Sequence, residues 1–232
     1  NGWYGIYLND DCADNTILEN NFYGNENTGI RIEDSVSNTL ISTNDVSDNG
    51  NYGIFIVGSH TEVIENLVYE NGKHGIFLFA DDSTLISNNN ASDNSLDGIR
   101  LQNSTSDTIT TNRVTNNERH GIYVNYYCLK NQIYDNYFQE NTLNAKDISP
   151  DDSENEWFHE YINESNIISG PVISGNFWDD YTGIDEDRDG FGDSSYLIEG
   201  GNKFDFRPLV HRRPIASAGG PFFGSVFEQI VF

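Results

Sequence analysis

A Gly-Ile pair returns along this chain at Gly5-Ile6, Gly29-Ile30, Gly53-Ile54, Gly75-Ile76, Gly98-Ile99 and Gly121-Ile122, with steps of 24, 24, 22, 23 and 23 residues. Two residues after each Ile stands another aliphatic: Leu8, Ile32, Ile56, Leu78, Leu101 and Val124. That alternation is a short strand with one face inward. Further on in each repeat Ile17, Ile41, Val63, Ile86, Ile109 and Ile133 form a second apolar column. An Asn column follows three residues later, at Asn20, Asn44, Asn66, Asn89, Asn112 and Asn136. Phe22, Val46, Val68, Ala91, Val114 and Phe138 come next, then a second Asn column at Asn25, Asn49, Asn71, Asn94, Asn117 and Asn141.

A repeat of this size cannot bury its own apolar face. Stacked repeats can, with strand on strand about 4.8 Å apart and one shared core. Asn amides held in register hydrogen-bond along the stacking axis. Asn at a corner also tolerates left-handed backbone angles, and the Gly before each Ile permits a tight corner. The phase therefore predicts an all-β chain. It is a parallel β-helix, right-handed by the usual preference, of about six to seven turns of 22–24 residues. The coil is expected over residues 1–180, with a polar surface excursion at 149–165. Ile173, Asn176 and Trp178 repeat the spacing of Ile133, Asn136 and Phe138 and mark a seventh turn. Cys12 and Cys128 each lie five residues before a column Ile, five turns apart. That is far beyond the ~7 Å a disulfide allows, so two unpaired thiols are expected.

Composition narrows the function. Asp and Glu number 37 against 12 Lys and Arg, for a net charge of −25. Such a surface repels phosphate backbones, so nucleic acid is not an expected partner. No apolar run reaches the ~20 residues of a membrane span, so direct membrane insertion is not expected either.

The repeat resembles the parallel β-helix repeats of the carbohydrate-binding and sugar-hydrolase group, including NosD-like proteins. Gly170 to Val210, with its GNFWDDY stretch, Asp-rich loop and Pro-Leu ending, resembles the terminal segment of NosD-like β-helices in methanogen surface proteins. Residues 211–232 resemble a linker and the opening strands of a PKD-type β-sandwich domain. The resemblance implies a secreted or cell-surface protein, archaeal and surface-layer associated, read here as a fragment of a longer chain. It implies no reaction.

Three constellations are candidates for function. In residues 181–210, Asp185, Asp187, Asp189 and Asp193 take positions 1, 3, 5 and 9 of an EF-hand-like loop, with Gly190 at 6 and the Phe191 carbonyl at 7. Tyr196 replaces the bidentate Glu at position 12, so Asp179, Asp180 or Glu199 would have to supply a further donor. Calcium is the expected cofactor, with an acidic surface turn as the alternative. The residues before the corner Gly place His74, Asp97 and His120 on successive turns. This row is either a metal or acid–base site or a solvated corner. The outward strand position runs Tyr7, Arg31, Phe55, Phe77, Arg100, Tyr123. That row is a platform for sugars or a neighbouring protein, or a face covered by a loop. Copper is not expected, because soft sites favour Met, Cys and His, whereas the chain has no Met and two distant Cys.

The function these features point to is an extracellular structural or adhesive β-helix module, calcium-stabilised, whose partner is a cell-wall glycan or a neighbouring surface protein. The alternative is a polysaccharide hydrolase or lyase working in the same groove.

Overall fold

The computed structural model describes residues 2–10, 12–33, 36–58 and 60–211. The PKD-like segment expected at 211–232 lies, apart from His211, outside the described residues. Each turn of the coil contributes three short strands, as in Ile54–Ile56, Glu62–Ile64 and Leu67–Tyr69. Like strands stack into three parallel sheets. The first has seven strands, from Tyr4–Leu8 to Leu143–Asp147; the second has six, from Thr16–Leu18 to Gln132–Tyr134; the third has seven, ending at Phe177–Trp178. The repeat columns are the register: Ile54 pairs with Ile76, Val63 with Ile86 and Val68 with Ala91. This is the parallel β-helix that the periodicity predicts, and no described residue is helical.

Both Asn columns are ladders, buried along most of their length. In the first, each side-chain amide donates to the carbonyl oxygen of the next, as in Asn66 to Asn89 and Asn89 to Asn112, both 3.0 Å. The same oxygen also accepts the backbone N–H of the preceding Asn, as Asn112 accepts from Asn89 at 3.0 Å. The second ladder repeats the pattern through Asn71, Asn94 and Asn117. Each amide thus satisfies backbone groups that the bend between two strands would otherwise bury unpaired.

The backbone reaches this geometry by a route different from the one expected. The left-handed residue is the one before each Asn: Glu65, Asn88, Thr111 and Asp135 ahead of the first column, Glu70, Asp93 and Asn116 ahead of the second. The Asn itself is free to point inward. The repeated Gly also serves another purpose than a corner with positive φ. A Cβ on Gly98 would stand 2.7 Å from the Asn117 amide nitrogen and 2.9 Å from the Gly121 carbonyl oxygen. The Gly leaves room for the ladder.

The C-terminal end differs from the expected surface excursion at 149–165. Glu156 bridges Gln132, and the Ile133 N–H donates to the Glu156 carbonyl at 2.8 Å. Trp157 therefore takes the place in the second sheet's column that Ile173 was expected to fill. Residues 153–157 belong to the coil, and the chain leaves it afterwards; Ile162 and Ile173 pair antiparallel. Asn176 and Trp178 do hold their columns: Asn136 donates to Asn176 at 3.0 Å and Phe138 pairs with Trp178. Trp178 is stacked between Phe138 (4.6 Å) and Tyr196 (4.3 Å), and these rings close the core. Both cysteines are free, with Cys128 in the core.

The ladders make a graded prediction. Asn112 donates to the carbonyls of Ile86 and Thr110 and to Asn136, and accepts from Asn89. Asn112→Ala strands several buried groups at ~1–3 kcal/mol each, so a loss of about 4 kcal/mol is expected in urea unfolding. Asn20 is the exposed first member of that ladder, and Asn20→Ala should cost about 1 kcal/mol. Equal losses at both positions would contradict a ladder that carries the fold.

Candidate functional site on the first sheet

The residue before each corner Gly faces outward at the margin of the first sheet. Repeat phase alone brings His74, Asp97 and His120 into one row there, and the structure gathers more around them. Asp97 has no solvent exposure. Its Oδ1 lies 2.7 Å from His120 Nδ1 and its Oδ2 3.1 Å from His74 Nδ1. Arg119 reaches the same carboxylate with two nitrogens, Nε at 2.8 Å and Nη2 at 2.5 Å. Arg100 donates to Oδ2 at 3.2 Å. One buried carboxylate is thus the hub of two imidazoles and two guanidiniums.

Charge follows from that geometry. Burial alone would push the Asp97 carboxyl up, but hydrogen bonds from His120, His74 and Arg119 outweigh it and hold it well below the usual carboxylate range. Burial lowers His74, against the opposing pull of Asp97, so the ring is neutral at pH 7. The Asp97 hydrogen bond raises Arg119 further. Tyr52 stacks flat on the His74 ring at 5.6 Å, and Tyr123 packs on His120 at 5.0 Å.

The neighbouring row corrects the picture of an open aromatic platform. Phe55 and Phe77 are each only 7% exposed and form a small apolar cluster with Val57, flanked by Tyr52 and Phe79. Guanidiniums close this stack from both sides. Arg31 sits over Tyr4 (5.4 Å) and Phe55 (4.5 Å), and Arg100 over Phe77 (5.6 Å) and Tyr123 (4.7 Å). Rings and guanidiniums pack through cation–π contacts. What remains accessible is Tyr7, nearly half exposed, and the half-buried Arg31, Arg100 and Tyr123. The row continues beyond Tyr123 to Lys146, which sequence reasoning missed.

The acidic loop is partly preformed. Donor atoms of Asp185, Asp187 and Asp189 lie within 4.8 Å of one another. Gly190 carries φ 101° at the sharp turn, and Asp185 accepts its N–H at 3.1 Å. Asp193 stands apart from that group and accepts the Glu186 N–H at 2.8 Å. Phe191 is buried and bridges Leu209. Of the suggested extra donors, Asp179 and Asp180 are bonded to Asn144 instead.

A family profile described as periplasmic copper-binding protein (NosD) matches residues 1–83 and 28–183. The chain belongs to the NosD family. No curated protein matches it. Among solved structures, the periplasmic alginate epimerase AlgG is similar in fold, with a TM-score of 0.55 and 23% identity over 75% of this chain and 40% of that one. The A-module of an Azotobacter vinelandii mannuronan C-5 epimerase gives a TM-score of 0.52 and 16% identity, over 61% of this chain and 44% of that one. This NosD-type chain thus spans less than half the length of either neighbour.

The family's description overturns the exclusion of copper. That exclusion rested on counting soft ligands, which describes this chain's side chains and not what the family is known for. Among the described residues the imidazoles that converge are His74 and His120, and they face a carboxylate flanked by Arg100 and Arg119. Imidazole is a donor type that copper takes, and here both rings turn Nδ1 toward Asp97.

Asp97→Asn tests the hub. Leaving Arg100, Arg119 and the imidazoles without their shared anion should cost roughly 3 kcal/mol at pH 7.5. A carboxylate with a depressed folded-state pKa contributes stability above its unfolded value of about 4, lost only as pH falls through the folded value. Asp97's own contribution to that cost should therefore stay flat from pH 8 to 5. His74 loses the groups that raise it, so its imidazole titration, followed by NMR, should move further down. An upward move would refute the hub.

Proposed function

We propose that this chain is an envelope-exposed β-helix module that binds an acidic glycan along the outer face of its first sheet. The observation that carries the reading is the ring–guanidinium stack of Tyr4, Arg31, Phe55, Phe77, Arg100 and Tyr123 beside the Asp97 hub. Exposed Tyr faces stack on the apolar faces of sugar rings. Guanidiniums held rigid by their neighbours bond hydroxyls and match carboxylates with two parallel hydrogen bonds. Lys73, over Tyr52 at 5.5 Å, and Arg119 add positive charge on a coil that is otherwise acidic. A strand-to-strand spacing of about 4.8 Å repeats these contacts from turn to turn along the face. The periplasmic description of the family and of AlgG supports an envelope location. No described helix is long and apolar enough to cross a membrane.

A second reading is favoured by the hub itself. Two imidazoles and two guanidiniums around one carboxylate are groups that can move a proton on an acidic sugar while neutralising its charge. The alginate epimerases that share the fold act on such a polymer. Binding and turnover use the same face, so one experiment separates them.

A panel of neutral and uronate polysaccharides should show binding confined to the acidic members and weakened by salt. Tyr123→Ala with Arg31→Ala should weaken it about tenfold or more, that is by ~1.4 kcal/mol. Altered polymer after incubation, absent in His120→Gln, would move the assignment to the enzyme. No binding to any member would discard the glycan and leave a neighbouring surface protein as the partner.

Calcium is the second element of the proposal, at the loop of Asp185, Asp187 and Asp189, where Gly190 supplies the turn. Millimolar calcium should protect the Gly190 and Phe191 amides from hydrogen exchange. Asp187→Ala with Asp189→Ala should abolish that protection and leave the far-ultraviolet circular dichroism of the coil unchanged. Protection that survives the double variant would put the ion elsewhere.

A further inference from the structure

Two carboxylates inside the coil occupy places where the same columns elsewhere put hydrogen-bond donors. A third polar column runs through Thr61, Thr84, Asp107, Asn131 and Asn155: each backbone N–H donates to the next side chain, Thr84 to Asp107 Oδ1, Asp107 to Asn131 Oδ1 and Asn131 to Asn155 Oδ1, all 2.9 Å. At Asn131 the other side-chain atom is an N–H donor, reaching the Ser104 carbonyl and Asn155. At Asp107 that second atom is Oδ2, fully buried and without a partner. Asp81 shows the same inversion. It takes the register position of Ser104, one turn on, and Ser104 donates its hydroxyl to the Leu78 and Gln102 carbonyls. Asp81 has no hydroxyl to donate; it is 3% exposed and neither carboxylate oxygen has a hydrogen-bond partner.

The two groups act on each other. Burial pushes both carboxyls far up, with Asp107 the principal charge acting on Asp81, and with Thr84 and Asp82 beside them. Among the described residues no salt bridge reaches either one. An uncompensated buried carboxylate is among the costlier features a fold can carry, and here two share one corner. Either protons, one on each carboxyl or one held between the two, or a cation must stand where Ser104 and Asn131 carry donor hydrogens.

We infer that Asp81 and Asp107, with the Thr84 hydroxyl, form an internal site for a hard divalent cation of the calcium class. The donors are all oxygen, which excludes soft metals. Two carboxylates call for two positive charges. Asp81 and Thr84 lie on one turn and Asp107 on the next, and oxygen donors fixed by a coil suit calcium better than magnesium, which demands a near-ideal octahedron. The exposed Asp82 adds negative potential at the surface beside them.

The test uses the full chain carrying Asp187→Ala and Asp189→Ala, so that the loop proposed above is silent whether or not it binds calcium. After calcium loading and desalting, elemental analysis should find one calcium per chain, and the loaded protein should melt at least about 5 °C above a sample refolded in chelator. Asp107→Asn should abolish the retained calcium. It should also raise the melting temperature in chelator above that of its parent, because an amide there continues the ladder of Asn131 and Asn155. The inference falls if calcium is retained by the Asp107→Asn chain. It falls equally if none is retained by the parent, where an infrared carbonyl band of a neutral carboxylic acid, removed by Asp107→Asn, would show protons holding the pair together.

Discussion

The whole coil depends on a row of amides pointing the same way. A parallel strand stack satisfies its backbone groups only along straight segments, and every turn here bends between the second and third sheets and again after the third. At these bends an inward amide does what a strand would do: it accepts one backbone N–H, donates to strand carbonyls and passes a hydrogen bond to the next turn. Because every amide donates in the same direction, the ladder has a polarity, and its last N–H groups need an acceptor. Carboxylates provide it. Asp205 accepts the Asn176 N–H at 2.7 Å and the Trp178 indole at 3.0 Å. The second ladder passes from Asn141 to Asn144 and ends on Asp179 and Asp180. Charged acceptors at the end of aligned dipoles make strong hydrogen bonds, so the segment after the coil is part of its construction.

How much of this was legible in the sequence depended on whether a column kept one residue type. Gly, Ile and Asn recur because each has no substitute at its place, and the parallel register could be read from them. The third polar column is hard to read because Thr84, Asp107, Asn131 and Asn155 all supply an acceptor oxygen while differing in name. The column position of Trp157 was hidden for the related reason that an indole fills an Ile position at the end of the coil. The left-handed corners were assigned to Asn for its known tolerance. The structure gives them to whatever residue precedes it, Glu65, Thr111 or Asp135 alike, since the buried amide outweighs the ~1 kcal/mol of strain one residue earlier.

The candidate site divides the same way. Its row could be found from repeat phase, because phase fixes which Cα atoms are neighbours. The convergence of Arg100 and Arg119 on Asp97 could not, because a long side chain reaches across rows that phase keeps separate. The row of Phe55 and Phe77 stayed open between a platform and a covered face, because phase says only that a residue points away from the core; what encloses it is the neighbouring rings and guanidiniums.

Stability alone gives no account of Asp97. Other turns hold Tyr4, Thr28 and Tyr52 at the same register position and fold without an ion there. A buried ion cluster is generally no more stable than apolar residues of similar volume in its place. Desolvating Asp97 is costly, and it draws in four cationic or ionisable partners on a chain that has only 12 Lys and Arg against 37 Asp and Glu. The coil's inner columns are under the strictest structural constraint, so residues of the outer rows can change at little cost to the fold. A hub that is expensive, outward and confined to three turns is therefore where selection for something other than folding has left its mark.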